Sequence, residues 1–180
     1  HSRILKFGTR SEIRTDISTA LQFLQPGILY FELKARSKST FFAARFQTSH
    51  QPRTLPQLAI SITTFKREQA VENTVARLRA YLETYEQRDR VQVFVVDNGQ
   101  SANIQSAPPV TLIRNENLGG AGGFSRGLLE AERAGATHCL FMDDDAAFLM
   151  ENIFRAYAFL ALARDAKTAI CGAMINNANK

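Results

Sequence analysis

Val91-Gln92-Val93-Phe94-Val95-Val96 is an almost unbroken apolar run that stops at Asp97-Asn98-Gly99. A run this short, rich in β-branched residues and closed by turn formers, reads as a strand. Its lack of polar alternation marks a strand buried on both faces, as in a parallel sheet covered by helices. The flanking sequence repeats the pattern. Leu58 to Ile62 reads as a strand. Glu68 to Tyr85 reads as a helix, with Val71, Val75, Leu78, Leu82 and Tyr85 at three- and four-residue spacing. Val110 to Ile113 is a short strand. Gly123 to Ala134 is a helix with Phe124, Leu128 and Ala131 on one stripe and Gly135 as its stop. His138 to Met142 is a fourth strand, Asn152 to Arg164 a helix and Thr168 to Met174 a fifth strand. Strands alternating with helices predict an α/β fold with a Rossmann-like, doubly wound, mostly parallel sheet.

The N-terminal part reads differently. Gly27 to Ala35 and Thr40 to Thr48 are β-rich and flank the turn Ser37-Lys38-Ser39, which predicts a hairpin. Tyr30, Phe31, Phe41, Phe42 and Phe46 give it the aromatic load of a small β domain. Residues 49–57 carry Pro52 and Pro56 without periodicity and read as a linker. The expected organisation is therefore part of a β-rich domain over 1–48, a linker over 49–57 and an α/β domain over 58–180.

The chain has 180 residues, 45% hydrophobic and 22% charged, which is ordinary for a globular protein. A net charge of +5 favours phosphate-bearing or anionic partners weakly. No dense Lys/Arg block appears, which argues against nucleic-acid binding; Lys34, Arg36 and Lys38 alternate as a solvated strand face would. The two cysteines, Cys139 and Cys171, lie in apolar runs and read as core thiols of a reducing compartment. No run of 18 apolar residues and no signal-peptide pattern is present, so a cytoplasmic protein is expected. The start at His1-Ser2-Arg3 suggests a piece of a longer chain.

Chemistry concentrates where the strands end. Cys139 to Met142 runs directly into Asp143-Asp144-Asp145, with no basic residue beside them in sequence. Three adjacent carboxylates repel one another, more so when buried. A divalent cation is the simplest partner, and hard cations take oxygen ligands. The plain alternative is a solvated acidic loop. The other tips are Thr63-Thr64-Phe65-Lys66-Arg67, Asp97-Asn98-Gly99 and Arg114 through Gly123. In an open α/β sheet they would share the rim that binds ligands. Arg67 at a helix start is not placed there by the macrodipole and could pair with a phosphate or stack on a base; alone, it is a surface charge. Asp97 could accept hydrogen bonds from a base or ribose, or serve only its turn. Five glycines within residues 119–127 exceed what one turn requires and allow close approach of a ligand.

Other motifs fail. The dinucleotide fingerprint needs a third Gly where Ser125 stands and belongs after the first strand. No P-loop or nucleophile elbow is present. His138 stands at the start of the fourth strand and belongs at the opposite end of the sheet. A nucleotidyltransferase should carry a Gly-rich basic loop after its first strand, and Thr63 to Arg67 holds no glycine.

Taken in order, Ser61 to Arg67, Val95 to Gly99, Asn117 to Gly127 and Phe141 to Asp145 resemble the family 2 glycosyltransferases of GT-A fold. The likeness covers about residues 58 to 175 and is greatest to bacterial galactofuranosyltransferases and their rhamnosyltransferase relatives. The resemblance implies an inverting, metal-dependent transfer from a nucleotide sugar, UDP-galactofuranose first and dTDP-rhamnose next, in cell-surface glycan synthesis. It places Thr64, Arg67 and Asp97 around uracil, and Asn117 and Gly120 near ribose and diphosphate. Asp143 and Asp145 would hold Mn2+ or Mg2+, and Asp144 would face ribose or donor sugar. It further implies a glycan or lipid-linked glycan acceptor, with room for contact with the inner membrane face and for a homo-oligomer. The family's general base, metal-binding His and acceptor surface lie after this motif, and neither Glu151 nor Asp165 supplies them. A chain ending at Lys180 is thus expected to bind a nucleotide diphosphate without completing transfer.

Overall fold

The computed structural model describes residues 12–21 and 30–172. The chain divides into two compact units, His1–Gln47 and Thr48–Lys180. In the first, the described residues hold one short helix, α1 (Ser18–Leu21), and no strand. The expected hairpin is therefore not formed over residues 30–48; residues 27–29 of its first arm lie outside the described ones. Phe31 stands edge-on to Phe46 at 6.3 Å and tilted to Phe41 at 6.5 Å, and all three rings remain exposed. Strand propensity alone does not hold a hairpin, because two strands without a third or a helix are marginal in water.

The second unit is the expected α/β domain. β1 (Leu58–Thr64) leads into α2 (Glu68–Thr84), a 3-10 turn at Arg88–Arg90 and β2 (Val91–Asp97). β3 (Val110–Arg114), α3 (Gly119–Arg133), β4 (His138–Asp143) and α4 (Glu151–Leu162) follow. The sheet is parallel throughout, in the order β3-β2-β1-β4. Its two inner strands, β1 and β2, are buried on both sides, which explains their nearly continuous apolar reading. Leu58, Ile60 and Ile62 pack with Val71, Val75, Leu78 and Leu82 of α2 and with Ile153 and Tyr157 of α4. Ala59 and Phe94 face Ala131 of α3 on the other side. Each large aliphatic side chain so buried contributes roughly 1.5–3 kcal/mol.

Three details depart from the sequence reading. The fifth strand is not formed over residues 168–172, and residues 173–174 lie outside the described ones. An apolar run becomes a strand only where a neighbour offers a ladder, and no described strand flanks this one. Cys171 is accordingly exposed, whereas Cys139 is half-buried and its thiol is pushed up by burial. Finally, α3 starts at Gly119 and absorbs the glycine run expected to form a loop. Its buried stripe is Gly123, Gly127 and Ala131, while Leu128 stays exposed.

The reason is the closeness of α3 to β1. A Cβ on Gly123 would lie 2.2 Å from Thr63 Cγ2, and one on Gly127 would lie 1.9 Å from Ser61 Oγ. Only glycine fits that seam. The end of the linker also docks: Gln57 N donates to Thr137 Oγ1 at 2.9 Å, and Tyr157 Oη donates to the Pro56 carbonyl at 3.0 Å. No helix among the described residues is long and apolar enough to cross a membrane.

Alanine in a helix interior normally stabilises by up to about 1 kcal/mol over glycine. Gly127→Ala is expected to reverse that sign and destabilise by about 1–3 kcal/mol through overpacking. A Cβ on Gly120 meets nothing within 4 Å, so Gly120→Ala should leave stability equal or raised. Urea unfolding midpoints check both; equal midpoints for the two variants would contradict the seam.

Candidate functional site

The register gathers four strand ends on one rim. Thr64 lies beside Asp97, Asp97 beside Arg114, and Thr63 beside Asp143. β2 and β3 build outward from one edge of β1, and β4 returns to its other edge. That reversal makes the carboxyl ends of β1 and β4 a topological switch point, the place where open α/β sheets bind ligands. His138 pairs with Leu58 and so stands at the far end of the sheet, as expected.

At this switch point the aspartates diverge. Asp143 ends β4 and is exposed. Asp144 turns inward, its side chain only 6% exposed. Thr64 Oγ1 donates to Asp144 Oδ2 at 2.7 Å, and Thr74 Oγ1 donates to the Asp144 carbonyl at 2.8 Å. Arg67 Nη1 stands 3.3 Å from Asp144 Oδ1. Asp145 is half-exposed and accepts from Arg67 Nη2 at 2.6 Å. The basic partner missing from the local sequence is therefore supplied from the end of β1. The hydrogen bond from Arg67 holds the Asp145 carboxyl below its ordinary range. In turn, the Asp145 hydrogen bond and the Asp144 charge push the guanidinium higher. Expected to face ribose or donor sugar, Asp144 has its carboxylate engaged by Thr64 and Arg67.

The second cluster centres on Asp97, which is fully buried. Its Oδ1 accepts from Gly99 N at 3.0 Å, and its Oδ2 accepts from Ala102 N at 2.8 Å and Arg114 Nη1 at 2.6 Å. Read from sequence as a group that either accepts from a base or ribose or serves its turn, Asp97 in the structure clamps the loop after β2. Asn98 N donates to the Thr64 carbonyl at 3.0 Å and joins the two clusters. Asn115 Nδ2 donates to Asn98 Oδ1 at 2.9 Å, and Asn98 Nδ2 to the Gly119 carbonyl at 3.0 Å. Asn117 Oδ1 accepts from Gly119 N at 3.2 Å, helping to start α3. Gly119 adopts φ 69°, the left-handed region glycine tolerates, while Gly120 faces open space.

Sequence reasoning thus named Thr64, Arg67, Asp144 and Asp145, which the fold brings together, and Asn117 and Gly120, which sit apart at the start of α3. It placed Asn98, Arg114 and Asn115 on the rim without assigning them a role, and it missed the supporting Thr74. Thr74 left a signal, a polar residue inside the apolar stripe of Val71, Val75 and Leu78. Arg114 was visible as a strand tip, but its pairing with Asp97 was not, since that depends on the register.

Among the described residues no three His, Cys, Asp or Glu side chains could hold a metal by themselves. Asp143 and Asp145 are exposed carboxylates, the donor type and number that a hard cation commonly takes from a protein while phosphate and water complete its shell; Asp145 Oδ2 is meanwhile held by Arg67. The sequence pattern described as Glycosyl transferase family 2 matches residues 59–177. The chain belongs to glycosyltransferase family 2. The match takes in all four strands of the sheet and the rim built on them. No curated protein matches this family 2 chain. Among solved structures it is similar to the mannosyltransferase PcManGT from Pyrobaculum calidifontis in complex with GDP-Man and Mn2+, with 22% identity and a TM-score of 0.48. The alignment covers 62% of this chain and 34% of that one, so the chain spans about a third of that enzyme.

Asp97→Asn tests the clamp. An amide nitrogen at either oxygen position would confront an N–H donor in place of accepting from it. We expect a loss of about 1–3 kcal/mol in chemical denaturation. A loss below about 0.5 kcal/mol, the level of an ordinary surface change, would show that the loop does not depend on this carboxylate.

Proposed function

We propose that this rim binds the diphosphate of a nucleotide sugar, and that the whole protein transfers the sugar to a glycan or lipid-linked glycan acceptor with inversion. The observation that supports this most is the pair of exposed carboxylates, Asp143 and Asp145, at the topological switch point beside Arg67. Asp143 and Asp145 would hold Mn2+ or Mg2+. When bound, that ion supplies Lewis acidity to the phosphoryl oxygens of the leaving nucleotide. Open space beside Gly119 and Gly120 would admit an anion to the N-terminus of α3, with Asn117 beside the ribose. Thr64 and Arg67 would line the base, and Asp144 would hold both in place from beneath. Asp97 contributes through what it positions: the Gly99–Ala102 loop and the Arg114 guanidinium.

UDP-galactofuranose is the proposed donor, on the likeness of the Asp-Asp-Asp run and the preceding segment to galactofuranosyltransferases; dTDP-rhamnose is the alternative. A cytoplasmic place at the inner face of the membrane fits a lipid-linked acceptor. A nucleotidyltransferase is disfavoured because β1 leads into Phe65-Lys66-Arg67, without a glycine loop to wrap a triphosphate.

Calorimetric titration with UDP checks the reading. Binding should require Mn2+ and weaken by about tenfold or more in Asp143→Ala and Asp145→Ala, as for loss of charge-assisted contacts. Equal binding with Mn2+ and with chelator would sink the metal-dependent reading. A panel of UDP-galactofuranose, UDP-galactopyranose, dTDP-rhamnose and GDP-mannose, run on the whole protein, tests the donor. Preference for any donor other than the first overturns the galactofuranosyl assignment.

A further inference from the structure

We propose that Arg67 competes with a divalent cation for Asp145, and pivots on Asp144 when it gives that carboxylate up. The inference rests on the nucleotide-sugar reading above and deepens it by assigning Arg67 as a positioning residue that couples metal and nucleotide binding.

The two carboxylates that Arg67 bridges are unequal. Asp144 is buried and fixed by Thr64 and Thr74. Removing its cation would leave a desolvated charge, which is strongly unfavourable. Asp145 and Arg67 are each half-exposed, and the bond between them crosses solvent. Exposed pairs of this kind are weak. A doubly charged ion shared with Asp143 therefore outbids the guanidinium at Asp145 but not at Asp144.

The backbone under Arg67 favours a side-chain pivot over a loop movement. Lys66 sits at φ 51°, a conformation rare for a residue with a side chain, and is therefore held by its surroundings. Gly99 abuts it so closely that a Cβ there would lie 2.9 Å from Lys66 N. Arg67 itself opens α2, its carbonyl accepting from Val71 N at 3.1 Å. With the main chain fixed, only the guanidinium is free to change partner. Released from Asp145, its Nη2 donors become available to an anion on the same rim. The metal thereby prepares Arg67 for the nucleotide, and Arg67 keeps the carboxylates neutralised before the metal arrives.

The test is a Mn2+ titration of the full chain without nucleotide, followed by the free Mn2+ signal in electron paramagnetic resonance. Arg67→Gln should bind Mn2+ roughly two- to fivefold more tightly than wild type, the range an exposed ion pair supplies. The same variant should bind UDP roughly tenfold more weakly at saturating Mn2+, through loss of charge-assisted hydrogen bonds. These opposite signs would not follow from general damage to the site. Arg67→Lys serves if Arg67→Gln does not fold: one ammonium keeps Asp144 neutralised but cannot bridge both carboxylates, so Mn2+ again binds more tightly. In an Asp145→Asn background, Arg67→Gln should no longer tighten Mn2+. Unchanged or weaker Mn2+ binding in Arg67→Gln and Arg67→Lys, with UDP binding still dependent on Mn2+, overturns the competition and leaves the nucleotide-sugar reading standing. Mn2+ binding indifferent to Asp143 and Asp145 overturns both.

Discussion

A carboxylate taken out of water must be met by a cation or by a full set of donors. Two such carboxylates, Asp97 and Asp144, stand on either side of the end of β1 and organise the rim of this sheet. Each is served by an arginine that remains half-exposed, Arg114 for Asp97 and Arg67 for Asp144. Each also recruits neutral donors from elements that would otherwise be independent. Asp97 takes the amides of Gly99 and Ala102, while Asp144 takes the hydroxyl of Thr64 and ties α2 through Thr74. The ends of four strands and the start of α2 are thereby fixed relative to one another before any ligand arrives. A site that binds a diphosphate benefits from this preorganisation, because less ordering remains to be done on binding.

The same rim depends on how tightly α3 lies on β1. Gly123 and Gly127 remove the side chains that would hold the helix away, and Gly119 supplies the left-handed turn that launches it. The helix then begins at the rim beside Asn98 and Asn117, with Gly119 N donating to Asn117 Oδ1 and the Gly119 carbonyl accepting from Asn98 Nδ2. Glycine in a helix costs conformational entropy, and here that cost is offset by close packing against Ser61 and Thr63. The glycine run thus serves two ends of one element: its first residues leave space at the rim, and its later ones seat the helix.

Much of this was legible in the residues. The apolar runs at β1 and β2 declared a sheet covered on both faces, and the stripe Val71, Val75, Leu78 and Leu82 declared the helix that covers one of them. The rim itself followed from polar tips on successive strands, since a βαβ order sends every strand the same way. Where reading failed, the cause was long-range. The run from Thr168 and the aromatic arms around Ser37-Lys38-Ser39 have strand propensity without a partner to satisfy it. Phe124 and Leu128 looked like part of the buried stripe of α3 because hydrophobicity marks buried faces, but of that expected stripe only Ala131 is buried. At this seam the closest contact belongs to residues with no side chain, which hydrophobicity cannot flag.

The sequence by itself determined the α/β class, membership in glycosyltransferase family 2, and the identity of the acidic, basic and glycine-rich tips. It did so because periodicity and local turn chemistry are carried by neighbouring residues. Only the tertiary structure decided how the three aspartates divide. Asp143 is left open, Asp145 shares its charge with Arg67, and Asp144 is buried on Thr64 and Thr74, although all three are the same residue in one unbroken run. That division depends on strand register and on the packing of α2 against β1, which place residues some seventy to eighty positions apart within hydrogen-bonding distance. Electrostatic partners at that separation leave no pattern in a single chain, and desolvation is a property of the folded surroundings rather than of the residue.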